Sequence, residues 1–124
     1  METLEQYISE IVGKLIEAQA KSISIQIADS KEEDFIALRI SGNDTTDDTE
    51  YKHSQEKGDL AGFFSRLFCQ NPSINICVKY VTDEEYFELN TEDVKDIFAG
   101  IKLDDEEVIE NLAEMIGENI GEED

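Results

Sequence analysis

Every second residue of Ser22-Ile23-Ser24-Ile25-Gln26-Ile27 is isoleucine. Only an extended backbone puts such residues on one side, so the run predicts a strand with one buried and one polar face. The same period returns at Ile36, Leu38 and Ile40 and at Ile74, Ile76, Val78 and Tyr80, with a shorter strand at Tyr86-Phe87-Glu88-Leu89. Asp29-Ser30-Lys31-Glu32-Glu33 reads as the polar turn of a hairpin joining the first two strands. A sheet with one apolar face needs a cover, and helical spacing supplies it. Leu4, Ile8, Ile11, Val12, Leu15 and Ile16 make a stripe on a helix from about Glu2 to Ala20. Asp59 caps a second helix carrying Leu60, Phe63, Phe64, Leu67 and Phe68, and Asn71-Pro72 stops it. Thr91 caps a third through Phe98, with Gly100 as its left-handed end. The last begins near Asp104, which forms a capping box with Glu107, and Leu103 with Val108 staples it. It buries Val108, Ile109, Leu112, Met115 and Ile116, and frays at Gly117, Gly121 and Glu122-Glu123-Asp124.

Residues 44–58 have no apolar period and read as a polar loop. The order αββ, loop, αββ, αα predicts an α+β fold. It is a two-layer α/β sandwich whose four-stranded, mostly antiparallel sheet carries helices on one face. The 124 residues make a single domain, 1–124, with a helix and hairpin at 1–43, the loop at 44–58, and helix, hairpin and acidic helices at 59–124.

The formal net charge is −21, and residues 81–124 hold 17 acids against 2 bases. Such a surface repels nucleic-acid phosphates and anionic lipid, and no apolar run approaches the roughly 20 residues of a membrane span. The acidic start reads as neither a secretion signal nor a transit peptide. Cys69 and Cys77 make no disulfide framework, so the expected location is the cytoplasm. His53, Cys69 and Cys77 do not fit a zinc motif, and Asp44, Asp47, Asp48 and Glu50 lack EF-hand spacing. No metal or cofactor is expected. His53 reads as an exposed loop residue, no nucleophile pairs with it in sequence, and the chain reads as a non-enzyme.

The least ordinary feature is the row Glu106, Glu110, Glu114 and Glu118, spaced one helical turn apart with no base after Lys102. Stacked like charges oppose helix formation. These four glutamates are the candidate surface for a protein partner with a basic face; a merely solvated face is the competing reading. Phe63 and Phe64 read as core, with a homodimer face as the alternative.

Residues 10–25, Glu10-Ile11-Val12-Gly13-Lys14-Leu15-Ile16-Glu17-Ala18-Gln19-Ala20-Lys21-Ser22-Ile23-Ser24-Ile25, resemble the first helix and strand of the GHKL ATPases, the histidine-kinase and gyrase type. The resemblance is closest to small ATP-binding proteins encoded beside clostridial-type hydrogenases. It extends over about 1–43 and 52–120, through Asn71-Pro72-Ser73-Ile74-Asn75-Ile76, residues 85–97 and Leu103-Asp104-Asp105-Glu106-Glu107-Val108-Ile109. It implies an N-box acid at Glu10, but Lys14 stands where a magnesium-binding Asn belongs, and an ammonium has no lone pair for a metal. Ser41 and Asn43 replace the adenine-reading Asp and a turn glycine, and the lid and glycine-rich phosphate loop are missing. The resemblance therefore implies a degenerate relative that has lost its nucleotide site. It would serve as a non-enzymatic accessory or interaction module, linked to hydrogenase or anaerobic redox systems. Two alternatives stay open: a nucleotide-binding regulator with a remodelled pocket, and an acidic nucleic-acid mimic that inhibits a basic protein.

Overall fold

The computed structural model describes residues 2–121, so the expected fray at Glu122-Glu123-Asp124 lies outside the described residues. Along the chain come α1 (Leu4–Glu17), β1 (Ser22–Ser30), β2 (Phe35–Gly42), β3 (Thr45–Tyr51), α2 (Leu60–Gln70), β4 (Asn75–Thr82), β5 (Tyr86–Asn90), α3 (Thr91–Ile97) and α4 (Glu106–Ile120). The period-two residues do what their spacing demands. Ile23, Ile25 and Ile27 on β1, Ile36, Leu38 and Ile40 on β2, and Ile76, Val78 and Tyr80 on β4 are all 3% exposed or less. They form one core with Leu4, Ile8, Val12 and Leu15 of α1 and Leu60, Phe64, Leu67 and Phe68 of α2.

The expected sheet of four strands is corrected to five, in the order β3-β2-β1-β4-β5; three of its four pairings are antiparallel, as expected, and one is parallel. β1 pairs antiparallel with β2 but parallel with β4, while β2–β3 and β4–β5 are antiparallel. The added strand, β3, lies inside the expected 44–58 loop. Asn43 and Asp44 both have positive φ, 49° and 63°, as a two-residue hairpin turn requires, and Gly42 pairs with Thr45 across it. β3 then carries the chain away from β1, and α2 returns it, so β4 enters beside β1 in the same direction.

Other boundaries shift for identifiable reasons. α1 starts later than expected because Thr3 caps it, receiving the Gln6 N–H while the Gln6 side chain accepts the Thr3 N–H. α3 is capped by Asn90, reciprocally with Asp93. The Thr91 hydroxyl instead bonds inward, donating to the Ile74 carbonyl and accepting the Ile76 N–H. Asp105, one residue later than expected, caps α4. Gly117 does not fray; it is buried facing Ala61, and the helix ends at Gly121, whose φ of 77° makes the left-handed cap.

α2 is buried at 8 of its 11 positions, because α4 packs along it on one side and the sheet on the other. The Ser65 hydroxyl, itself fully buried, donates to the Ile109 carbonyl of α4 at 2.5 Å. Phe64 is fully buried in this core, so of the pair weighed as an alternative homodimer face only the half-buried Phe63 reaches the surface. Among the described residues no helix is long and apolar enough to cross a membrane.

Candidate functional site

The four glutamates of α4 all lie on its exposed side, opposite the buried Val108, Leu112, Ile116 and Ile120. With a rise of about 1.5 Å per residue, Glu106 and Glu118 stand about 18 Å apart along the axis. The ion pairs among the described residues lie elsewhere, so the row carries no cationic partner within 4 Å among them.

Of the positions singled out by the GHKL resemblance, the fold links Glu10 to Lys14 and Lys14 to Asn43, and turns Ser41 away. Glu10 and Lys14 are exposed and pair with each other on α1 at 3.7 Å. Lys14 and Asn43 border one groove, whereas Ser41 points to the opposite face of the sheet. That groove has a volume of about 300 Å³ and lies between the second half of α1 and β3. Ile11, Leu15 and Ile40 make its apolar lining, and Thr45 and Asp47 its β3 rim. Two side-chain bonds fasten its ends. At one end the Tyr7 hydroxyl donates to Asp47 Oδ1 at 2.9 Å, with the Tyr7 and Tyr51 rings edge to face at 5.7 Å. At the other, Asn43 Nδ2 donates to the Ala18 carbonyl at 3.1 Å. Burial and the Asp47 carboxylate push the Tyr7 phenol up to about 12, so it stays a donor at any physiological pH.

Asp29 is a further correction. The expected turn begins inside β1, and Asp29 continues the inward phase of Ile23, Ile25 and Ile27, with only 6% of its surface exposed. Three donors meet it: His53 Nδ1 at 2.5 Å, Lys57 Nζ at 2.7 Å and the Tyr80 hydroxyl at 2.7 Å. Burial alone would raise its pKa. The bonds from Lys57, Tyr80 and His53 outweigh burial and hold it below the usual carboxylate range. A carboxylate held low is a poor proton acceptor, so its physical work is to tether residues 52–58 to the sheet. His53 is accordingly half-buried and fixed, not the exposed loop residue its sequence context suggested. The turn that follows is held from the other hairpin: Asp83 accepts the Ser30 hydroxyl and the Lys31 and Glu32 N–H groups.

The face of the sheet opposite the core carries a polar row across all five strands, with acids at its two ends and bases inside them. Register places Asp48, Arg39, Gln26, Lys79 and Glu88 side by side, with Arg39 Nε bonded to Asp48 Oδ1 at 2.7 Å. Cys77 lies on this face and Cys69 in the core; both are free thiols, raised in pKa chiefly by burial. Asp44, Asp47, Asp48 and Glu50, weighed above as a calcium loop, instead sit on a hairpin whose pleat sends Asp47 to one side and Asp48 and Glu50 to the other. No cluster of three or more metal-ligating side chains occurs among the described residues.

Sequence carried a signal for part of what was missed. The alternation at 23, 25 and 27 extends to Asp29, and Asn43-Asp44 before a threonine-rich run is a hairpin signal. His53 and Lys57 have none, since only the folded path of 52–58 brings them to Asp29. Compared with known proteins, the chain matches no family model, no curated protein and no solved structure.

Proposed function

We propose that this protein is a non-enzymatic interaction module that holds a protein partner through a basic surface on that partner. The observation that carries the reading is the unbroken carboxylate row on the exposed side of α4. Each like-charged step one turn apart costs roughly 0.2–0.5 kcal/mol of helix stability. A partner presenting lysines or arginines along about 18 Å would remove that repulsion and gain charge-assisted contacts. The helix–strand–strand order of residues 4–42 accords with descent from a GHKL framework whose nucleotide residues were replaced. An accessory role beside a hydrogenase or another anaerobic redox system belongs to the same proposal.

The test is the double substitution Glu110→Gln and Glu114→Gln, which interrupts all three steps of the row. The free protein should gain several tenths of a kcal/mol. In pull-downs from native lysate at low and high salt, partner recovery should fall with added salt and with the substitutions, because charges at an interface rim act mainly on association. Equal recovery of the same proteins in all four conditions would refute the reading.

A further inference from the structure

The outer edge of β3 is open: it ends the sheet order, and its seven residues pair on one side only, with β2. Because Gly42 and Thr45 flank a two-residue turn, they form the first hydrogen-bonded pair of the hairpin. Alternation then turns the N–H and C=O groups of Thr46, Asp48 and Glu50 outward, away from β2. Beside this edge runs the α1–β3 groove, apolar along Ile11, Leu15 and Ile40. A free strand edge next to a helix-walled groove is the geometry that accepts an extended peptide as an added strand.

We propose that β3 binds a short extended segment of a partner protein, antiparallel, with basic and apolar residues alternating along it. Its composition follows from the pleat. Partner residues opposite Thr46, Asp48 and Glu50 lie on the open side of the sheet, where Glu50, and Asp48 beside its Arg39 partner, favour lysine or arginine. The intervening residues point to the helix side, where the groove takes an aliphatic side chain. A second copy of this chain is disfavoured on the same edge. Antiparallel pairing of two β3 strands centred on Asp48 sets Asp48 against Asp48, and like charges directly opposite are destabilising. The proposal rests on the interaction-module reading, but its surface is β3 and not α4.

The probe is the synthetic peptide Lys-Val-Lys-Leu-Lys-Val-Lys, titrated into the full chain by calorimetry. Two N-methylated forms accompany it, one blocked at the lysine amides and one at the valine and leucine amides. In an antiparallel added strand the lysine amides face β3, so methylating them should weaken binding at least tenfold, while methylating the others leaves it within about threefold. Thr46→Pro, which removes one outward N–H of the edge, should weaken the unmodified peptide similarly with the circular dichroism spectrum unchanged. Loss confined to the valine and leucine set would overturn the antiparallel assignment. Equal affinity of the two methylated forms, or no binding of the unmodified peptide, would overturn the added strand. The double variant Glu110→Gln, Glu114→Gln separates the two surfaces. If it abolishes peptide binding and Thr46→Pro does not, α4 is the binding surface and the β3 proposal fails. If it leaves peptide binding intact but also leaves lysate recovery unchanged, the α4 reading fails alone.

Discussion

Replacing Asp29 by Asn keeps the size of the side chain and removes its charge. In the folded protein the carboxylate accepts from His53, Lys57 and Tyr80 while only 6% exposed. An amide offers one acceptor oxygen in place of two and turns a donor toward one of these groups. Hydrogen bonds to a charged group are worth about 1.5–3 kcal/mol each. Lys57 and His53 keep 27% and 30% of their side-chain surface in water, which lets them recover part of the loss by hydration. A total cost of about 2–4 kcal/mol follows, less than the full worth of three charged bonds. The pH dependence has a definite sign. The folded-state pKa of Asp29 is depressed, so its contribution is complete above the unfolded value near 3.9 and disappears as pH falls through the lower folded value. Relief of repulsion among the other acids acts on both proteins and cancels in their difference. Urea denaturation of wild type and Asp29→Asn at pH 5 and 3 should therefore show a stability gap that is smaller at 3. A gap under about 0.5 kcal/mol at pH 5, or one as large at pH 3 as at pH 5, would show that the carboxylate does not hold the network.

Two further outcomes probe the sheet. Ile25 and Leu38 face the helices at 0% and 2% exposure, so either changed to Ala should cost about 2–5 kcal/mol of unfolding free energy, read as a lower denaturant midpoint; unchanged midpoints for both would contradict their placement. Asp44 sits at φ 63°, a region that glycine occupies without the side-chain penalty, so Asp44→Gly should raise stability by several tenths of a kcal/mol, read as a higher thermal midpoint.

How much of this fold can be read from residues depends on what holds each element. The strands at 22–30, 35–42 and 75–82 are held by apolar side chains on one face, and period-two isoleucines announce that directly. β3 is held differently. Thr45-Thr46-Asp47-Asp48-Thr49-Glu50-Tyr51 has one large aromatic and no aliphatic residue, and as an edge strand it contributes no fully buried side chain. Its stability comes from the β2 ladder, the Tyr7 contacts and the Arg39–Asp48 pair, all supplied by residues elsewhere in the chain. A hydrophobic pattern cannot report an element whose partners are polar and remote. The α4 row is the opposite case. Its exposure followed from the apolar stripe of Val108, Leu112 and Ile116, centred on the opposite side of the helix, so the exposed face was visible before any fold was known.

The segment 43–59 shows what polar attachment means for the molecule. After β3 it has no aliphatic residue before Leu60, yet it follows a single path because the rest of the chain grips its backbone and its charges. The first turn of α1 donates to it, from Leu4 N to the Glu56 carbonyl at 3.1 Å and from Glu5 N to the Lys57 carbonyl at 2.9 Å. Glu5 then accepts the Asp59 N–H at 2.7 Å, so the start of α1 and the cap of α2 are fixed together. Gly58 makes the approach possible: its φ is +79°, and a Cβ there would come within 2.8 Å of Glu5. His53 and Lys57 close the same segment onto Asp29, and Tyr7, one turn into α1, closes β3 onto the groove. The N-terminal N–H groups of α1, the buried carboxylate of β1 and the open edge of β3 are thus parts of one mechanical unit. β3 is thereby held as a strand on its inner side while its outer edge pairs with no other described strand.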